Sequence, residues 1–175
     1  MVLDLVTYPD PRLKQTSAPI EEMTDELRTL AADMKETMVA KRGVGLAAPQ
    51  VGRFVRMLVV SLSETSDSEI PPQEYVLVNP VLTLGGEEKC SKAEGCLSVP
   101  MNFRADVMRK DLVTLDALDL EGRPIHMDFH GYPAFVLQHE CDHLDGVLFL
   151  DRISRIRRTL YDGRLKKWLA RKDGA

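Results

Sequence analysis

One short stretch near the end of the chain decides the fold: Pro133-Ala134-Phe135-Val136-Leu137-Gln138-His139-Glu140-Cys141-Asp142-His143-Leu144. A proline near its start and Gly146 just after its end are typical of a short helix. Its apolar first half indicates that the helix is buried. His139 and His143 are spaced to lie on one helical face, so both imidazoles can reach one metal ion while Glu140 projects beside it. The stretch therefore predicts a buried, metal-binding helix.

Other segments predict the elements that surround this helix. Thr24 is a candidate N-cap for a helix over 24–42, which Gly43 ends. Strands are predicted over 55–62, 75–79, 112–120 and 125–129, the last two as a hairpin. We expect a mobile polar loop over 63–73 and an extended arm at Tyr8-Pro9-Asp10-Pro11. The prediction is an α+β fold, with antiparallel or mixed β-sheets around the central metal-binding helix plus an N-terminal and a C-terminal helix.

Size and composition indicate one soluble globular domain. The chain has 175 residues, of which 44% are hydrophobic and 29% charged, and a core of this size needs no disulfide or structural metal. No run approaches the roughly 20 apolar residues of a membrane span, and the N-terminus lacks signal-peptide features. We therefore expect no membrane partner and a cytoplasmic location. The three cysteines, Cys90, Cys96 and Cys141, favour thiols or metal ligands over a disulfide framework.

Charge is distributed unevenly along the chain. Residues 151–175 contain nine Arg or Lys against three Asp, a net charge of +6. Since the whole chain has a net charge of −4, the first 150 residues carry −10. We expect a single catalytic domain over 1–150 and a basic helical extension of that domain over 151–175. A partial apolar stripe runs through the extension: Ile153, Ile156, Leu160, Leu165 and Leu169. A nucleic-acid-facing or membrane-surface element and a merely solvated helix end are both compatible with this pattern.

The third metal ligand must come from upstream of the helix. No Glu follows Glu140 and no His follows His143, which excludes the later ligands of thermolysin-like and metzincin sites. Cys141 is placed on the far side of the helix. The remaining candidates are Cys90, Cys96, His126, His130 or a carboxylate.

Cys96 is favoured among them, because the preceding Gly95 lets the backbone come close to an ion. A thiolate, two imidazoles and an open fourth position are the layout of a catalytic metal site. The alternative for Cys96 alone is a small buried hydrophobic side chain.

Three motifs occur in order along the chain: Gly43-Val44-Gly45-Leu46-Ala47-Ala48-Pro49-Gln50, Glu94-Gly95-Cys96-Leu97-Ser98 and Gln138-His139-Glu140-Cys141-Asp142-His143-Leu144. They closely resemble the signature motifs of peptide deformylases, and the Tyr8-Pro9-Asp10-Pro11 opening and the turn over 119–122 also look like that family. The resemblance implies a metal-dependent hydrolase that removes the formyl group from the N-terminal formyl-methionine of nascent polypeptides and releases formate. The alternatives are another metallohydrolase, such as a peptidase, and an inactive homologue that binds the ribosome.

The resemblance also implies roles for individual residues. A metal bound by Cys96, His139 and His143 would lower the pKa of its water from about 15.7 toward roughly 7, so that a hydroxide can attack the formyl carbon. The Gln50 side-chain amide and the Leu97 backbone N–H would stabilise the negative charge that grows on the formyl oxygen. Glu140 would act as general acid and base.

The substrate would contact a second set of residues. Gly45 is most simply a turn glycine, and the resemblance adds a backbone edge that pairs with the substrate as an extra strand. Val44, Gly95, Phe135 and Val136 complete the expected substrate-binding set, although Val44, Phe135 and Val136 are equally suited to the core.

Cofactor and partner expectations follow from the same resemblance. A thiolate with two imidazoles suits Fe(II), Zn(II), Ni(II) or Co(II), and the resemblance favours Fe(II). Formyl-methionyl nascent peptides are the expected partners, with ribosome contact through the basic C-terminal helix, and we expect no DNA partner.

Five residues keep two interpretations each. Arg104 and Arg109 could neutralise a substrate carboxylate, but surface salt bridges are favoured. For His126 and His130 a solvated strand face is favoured over a second metal site. A disulfide or a four-ligand zinc site is the disfavoured alternative for Cys90.

Overall fold

The fold is built on one antiparallel meander. The structure, a computed structural model, describes residues 1–63 and 71–174. Five strands pair in sequence order: β1 Gly45–Ala47, β2 Met57–Leu62, β3 Gln73–Glu94, β4 Ala105–Leu118 and β5 Pro124–His130. Three α-helices accompany them: α1 Asp25–Ala40, α2 Tyr132–Leu144 and α3 Arg155–Asp173. The predicted α+β fold with a central, an N-terminal and a C-terminal helix is confirmed.

The first helix begins where its N-cap predicts. The Oγ1 atom of Thr24 accepts a hydrogen bond from the backbone N–H of Leu27 at 3.3 Å, which satisfies one of the unpaired donors of the first turn. Helix α1 ends at Ala40 rather than at 42, because Arg42 adopts a φ of 57° and the N–H of Gly43 returns to the carbonyl of Met38. Its apolar side chains pack beneath β1 and β2.

The strands β3 and β4 are much longer than predicted. Strand β3 continues to Glu94, and β4 begins at Ala105. Many side chains in the outer half of β3 are exposed, so hydrophobic alternation does not reveal it; hydrogen bonds to β4 hold it in place. The predicted loop over 63–73 lies largely outside the described residues, and Gln73 already belongs to β3.

The predicted hairpin of β4 and β5 and the buried helix that follows are confirmed. Phe129 of β5 packs with Ala134, Leu137 and Leu144 of α2 in one buried cluster. A buried side chain also clamps the helix to β4: the amide of Gln138 donates to the Lys110 carbonyl at 2.7 Å and accepts from the Lys110 N–H at 3.2 Å. The sheet therefore fixes both the position and the rotation of α2.

Helix α3 packs through only part of the predicted apolar stripe: Leu165 is buried, and Ile153 and Leu169 pack against the same cluster. Tyr161 and Leu165 are buried, and the Tyr161 ring stacks on Phe103 with centroids 4.3 Å apart. Ile156 and Leu160 of the expected stripe are 74% and 62% exposed. The large aromatic ring sets the rotation of the helix because it buries more surface than either aliphatic side chain. Among the described residues, no helix is both long enough and apolar enough to span a membrane.

Candidate metal centre

Three side chains converge at the centre of the molecule. The ligand atoms of Cys96, His139 and His143 all lie within 4.8 Å of one another, and Sγ of Cys96 is 3.3 Å from Nε2 of His143. One turn of α2 separates the two histidines, and Cys96 sits on the turn that follows β3. The structure thus brings together the three residues predicted as ligands.

The chemistry of this donor set fits a divalent metal ion. Nδ1 of His139 is hydrogen-bonded to Oε1 of Glu94 at 2.6 Å, which leaves Nε2 for a metal. Burial lowers the pKa of His143 well below its usual value, so its imidazole is neutral, the form that binds metals. Burial alone would also lower the pKa of His139, but hydrogen bonds to Cys96 and Glu94 raise it well above the usual value. Cys96 and the Glu94 carboxylate therefore favour positive charge at His139, which lies between them.

A buried ion pair supports this cluster. Arg109 of β4 is 3% exposed and donates to both carboxylate oxygens of Glu94, from Nε to Oε2 at 2.9 Å and from Nη2 to Oε1 at 2.5 Å. Burial opposes ionisation of Glu94, but the hydrogen bonds from Arg109 and His139 lower its pKa to about 2. The expected surface salt bridge at Arg109 is therefore wrong: the guanidinium is buried because it holds the carboxylate that orients His139.

The ion pair continues to the far side of α2. Nη1 of Arg109 donates to Oδ2 of Asp142 at 3.1 Å, and Nε of Arg152 donates to the same oxygen at 2.6 Å. No role for Glu94 was predicted from the sequence. A sequence signal for the burial of Arg109 was available. Ala105, Val107 and Arg109 occupy alternate positions of β4, and all three face inward.

Glu140 is buried beside the three ligands. It is 5% exposed, its Oε2 atom has no hydrogen-bond partner among the described residues, and burial raises its pKa to about 7. A Cβ atom at position 45 would lie 2.5 Å from Oε1 of Glu140. Glycine is therefore required at this position of β1 so that the carboxylate can approach the backbone.

The side chain of Gln50 is held so that its amide nitrogen faces the metal centre. Oε1 accepts from the N–H of Ala47 at 2.9 Å, while Nε2 donates to Oγ of Ser98 at 3.1 Å and to Sγ of Cys96 at 3.4 Å. Leu97 lies on the same turn as Cys96 and packs over Gly43. The two predicted oxyanion donors therefore lie beside Cys96 and come from two different segments of the chain.

A cleft of about 490 Å³ opens in front of this group. All five predicted substrate-binding residues line it: Val44, Gly45, Gly95, Phe135 and Val136. The cleft is also lined by Arg42, Lys92 and Tyr132, which were not predicted to contact substrate, and by Arg104, for which a substrate contact was the disfavoured interpretation. These side chains come from four separate segments of the chain, so no local pattern links them.

The backbone of Gly45 is available to pair with a peptide. The N–H of Ser61 donates to the carbonyl of Val44 at 2.9 Å. Because hydrogen bonds alternate along an antiparallel pair, the backbone groups of Gly45 point away from β2. Strand β1 is at the edge of the sheet, so an extended peptide can add to it as a further strand.

The remaining candidates lie away from the centre. Cys90 is exposed, and Cys141 packs against the core, where burial raises its pKa. Nδ1 of His126 is 2.6 Å from Oδ1 of Asp116 on the exposed face of the hairpin, and His130 is exposed as well. In residues 1–63 and 71–174 neither histidine joins a cluster able to hold a metal.

The sequence of this chain is similar to those of known peptide deformylases. The family model for polypeptide deformylase matches residues 2–159. A peptide deformylase of Brucella suis biovar 1 (strain 1330) is 41% identical, covering 95% of this chain and 93% of the relative. For the deformylase of Alkalilimnicola ehrlichii the identity is 44%, with 95% and 90% covered.

Solved structures give the same result. The peptide deformylase of Ehrlichia chaffeensis in complex with actinonin superposes with a TM-score of 0.86 at 38% identity, covering 95% of this chain and 96% of that one. The Met-Ala-Ser-bound class I type b peptide deformylase of Acinetobacter baumannii superposes at 0.79 with 36% identity, covering 87% and 99%.

Proposed function

This chain belongs to the peptide deformylase family and is a metal-dependent hydrolase that removes the N-terminal formyl group from formyl-methionyl peptides, and we propose how its own residues carry out that reaction. The observation that carries the proposal is the position of Glu140, which is buried beside three converging metal ligands, with its Oε2 atom unpaired within residues 1–63 and 71–174. A peptidase or an inactive homologue is not favoured.

We propose that Cys96, His139 and His143 hold the metal. When bound, a divalent ion supplies Lewis acidity and acidifies a water molecule. Glu94 fixes the ring of His139 through Nδ1, and Arg109 keeps Glu94 ionised. We favour Fe(II), with Zn(II), Ni(II) or Co(II) able to occupy the same donor set.

Proton transfer is assigned to Glu140. Its carboxylate accepts a proton from the water that attacks the formyl carbon and then donates it to the nitrogen that leaves as the C–N bond breaks. A pKa of about 7 suits a group that must accept and donate a proton at neutral pH. The products are formate and a free amino terminus.

Substrate contacts are assigned to the cleft. The amide of Gln50 and the backbone N–H of Leu97 donate to the formyl oxygen as negative charge grows there. The backbones of Gly45 and Gly95 bind the peptide in an extended form, and Val44, Phe135 and Val136 pack on the methionine side chain.

The test is formate release from formyl-Met-Ala-Ser by protein prepared anaerobically with Fe(II), alongside Glu140→Ala and the exposed control Glu121→Ala. We expect the Glu140 variant to lose about 100- to 10,000-fold in kcat with its metal content unchanged, and the control to match the parent. An active Glu140→Ala variant would contradict the proton-transfer role. An inactive parent that still binds metal would contradict the proposed reaction.

The metal assignment has its own test. Protein loaded separately with Fe(II), Zn(II), Ni(II) or Co(II) is assayed before and after exposure to air. We expect the Fe(II) form to be the most active and to lose activity in air, because a thiolate-bound ferrous centre is open to oxidation. Equal activity of all four forms would contradict the Fe(II) assignment.

We further propose a cytoplasmic location and contact of α3 with the ribosome, and we retain 1–150 as the catalytic domain with 151–175 as its extension. The helical spacing of Arg157, Leu160, Arg164, Lys167 and Arg171 places them on one face, and all five are exposed. Deleting the helix would also remove the buried Tyr161 and Leu165, so substitutions are the cleaner test. Replacing the four cations by Gln should weaken ribosome binding and flatten its salt dependence; unchanged binding would contradict the contact.

A further inference from the structure

The mouth of the cleft carries a concentration of positive charge that the catalytic assignment leaves unused. Arg42, Lys92 and Arg104 line the cleft, and all three side chains are exposed. We call these three residues the cationic rim. Within residues 1–63 and 71–174 none of the three forms an ion pair with a carboxylate.

Two separate segments of the chain contribute the cationic rim. Arg42 precedes β1, the edge strand that a peptide can extend, whereas Lys92 and Arg104 lie where the β3–β4 hairpin closes. The guanidinium of Arg104 is anchored there: Nη1 donates to the Ala93 carbonyl at 3.2 Å, and a Cβ at Gly95 would be 3.3 Å from Cζ. A peptide bound between Gly45 and Gly95 would therefore pass close to these cations as it leaves the cleft.

The charges inside the cleft do not cancel this rim. The carboxylates that line it are Glu94 and Glu140. Glu94 is already paired with Arg109, and Glu140 is 5% exposed, so it lies buried away from the exposed rim. The exposed Asp106, whose Oδ1 accepts from the Ala93 N–H at 2.9 Å, offsets one of the three charges. The rim therefore keeps a net positive charge on a chain of net charge −4, and a cleft concentrates such a field toward an incoming ligand.

The distance along an extended peptide indicates which substrate residues meet the rim. A strand advances about 3.3 Å per residue, so the third residue lies about 7 Å beyond the methionine. If the methionine and its formyl group bind beside the three metal ligands, as the proposed function assigns, the side chains from the third residue onward would reach the exposed mouth of the cleft. Carboxylates at these positions would complement the rim.

We propose that the cationic rim is a specificity site that selects formyl-methionyl peptides with Asp or Glu from the third residue onward. This inference rests on the proposed function of the cleft. Since a single exposed charge pair changes an equilibrium by about two- to fivefold, several pairs together should discriminate by about tenfold.

The experiment uses three amidated peptides, formyl-Met-Ala-Xaa-Ala-amide with Glu, Gln or Lys as Xaa, so that no terminal carboxylate contributes. At low salt we expect kcat/KM to fall in the order Glu, Gln, Lys, with a Glu-to-Lys ratio of about tenfold that arises mainly in KM. The ratio should approach one at about 0.5 M salt, because salt screens exposed charges.

The variants assign the effect to the rim. The triple variant Arg42→Gln, Lys92→Gln and Arg104→Gln should bring the ratio close to one. The charge-matched control Arg123→Gln, Arg155→Gln and Lys166→Gln, with all three sites exposed and outside the cleft, should keep it. The ratio is taken within each variant, so a general change in activity does not alter the comparison.

The outcomes separate the specificity site from the proposed function. Absence of formate release from the Gln peptide by the parent would contradict the proposed function itself. Equal kcat/KM for the Glu and Lys peptides, or a ratio that survives in the rim variant, would overturn the cationic rim while leaving deformylation intact.

Discussion

The helices α2 and α3 differ in what surrounds their polar side chains. On α2, Gln138, His139, Glu140 and His143 are all buried, at 8%, 7%, 5% and 1% exposure. On α3 the apolar side chains of Ile156 and Leu160 are largely exposed instead. Burial in this protein therefore follows the position of the helix more closely than the polarity of its residues.

Partners from the sheet explain the difference. Glu94 of β3 binds His139, Arg109 of β4 binds Asp142, and the Lys110 backbone binds Gln138. These contacts compensate for the desolvation of polar groups on α2. Helix α3 packs on the core along one side only, so its cations remain in water.

The largest predicted effect tests the buried charges that support α2. Arg109→Leu leaves the Glu94 carboxylate buried without its partner, and we expect about 3–5 kcal/mol lower free energy of unfolding and about 10- to 100-fold weaker metal binding. Chemical denaturation and metal titration measure these two effects. The exposed Arg12–Asp10 pair gives the control, since Arg12→Leu should leave the free energy of unfolding close to that of the parent. Similar losses in both variants would remove the contrast between buried and exposed charge.

The next prediction compares two leucines of α3. Leu165→Ala removes a buried side chain and should lower the free energy of unfolding by about 2–4 kcal/mol. Leu160→Ala changes an exposed side chain and should stay within about 0.5 kcal/mol of the parent. Both are measured by denaturant unfolding. Equal losses of stability in the two variants would contradict packing of α3 through the face that carries Tyr161 and Leu165.

A smaller effect is predicted for the clamp between α2 and β4. Gln138→Ala leaves the N–H and carbonyl of Lys110 unpaired, and we expect a loss of about 1–3 kcal/mol. Hydrogen exchange should show faster exchange of the Lys110 amide. The exposed control Gln15→Ala should not change that rate, and a protected Lys110 amide in the Gln138 variant would rule out the clamp.

The smallest effect concerns a carboxylate near the start of α3. Burial opposes ionisation of Asp151, but Lys14, the Leu148 N–H and Arg158 together lower its pKa below the ordinary 3.8. Since the folded pKa is the lower one, ionised Asp151 stabilises the fold above about pH 3.8, and this contribution is lost as the pH falls through the folded value.

Asp151→Asn should therefore lower Tm at pH 7, with a stability change of about 1 kcal/mol or less. The Tm values of the variant and the parent should converge in acid, below the folded pKa. A Tm difference that stays constant with pH would contradict the linkage.

Local patterns predicted the elements whose residues have a regular period. The 24–42 segment has apolar residues at helical spacing, and residues 125–129 alternate, so α1 and β5 were recognised. The outer part of β3 lacks such a pattern because many of its side chains face water on both sides, and its conformation depends on hydrogen bonds to β4.

The sequence by itself determined the α+β class, the family resemblance and the pairing of His139 with His143, because motifs and helical spacing are properties of neighbouring residues. Only the tertiary structure decided that Arg109 is buried, that Tyr161 is buried against Phe103, and that Arg42, Lys92 and Arg104 line one cleft. Each of these depends on segments distant in the chain meeting in space. Hydropathy along the chain does not show which distant segments meet in space, and the energy of a charged group depends on the groups that lie next to it.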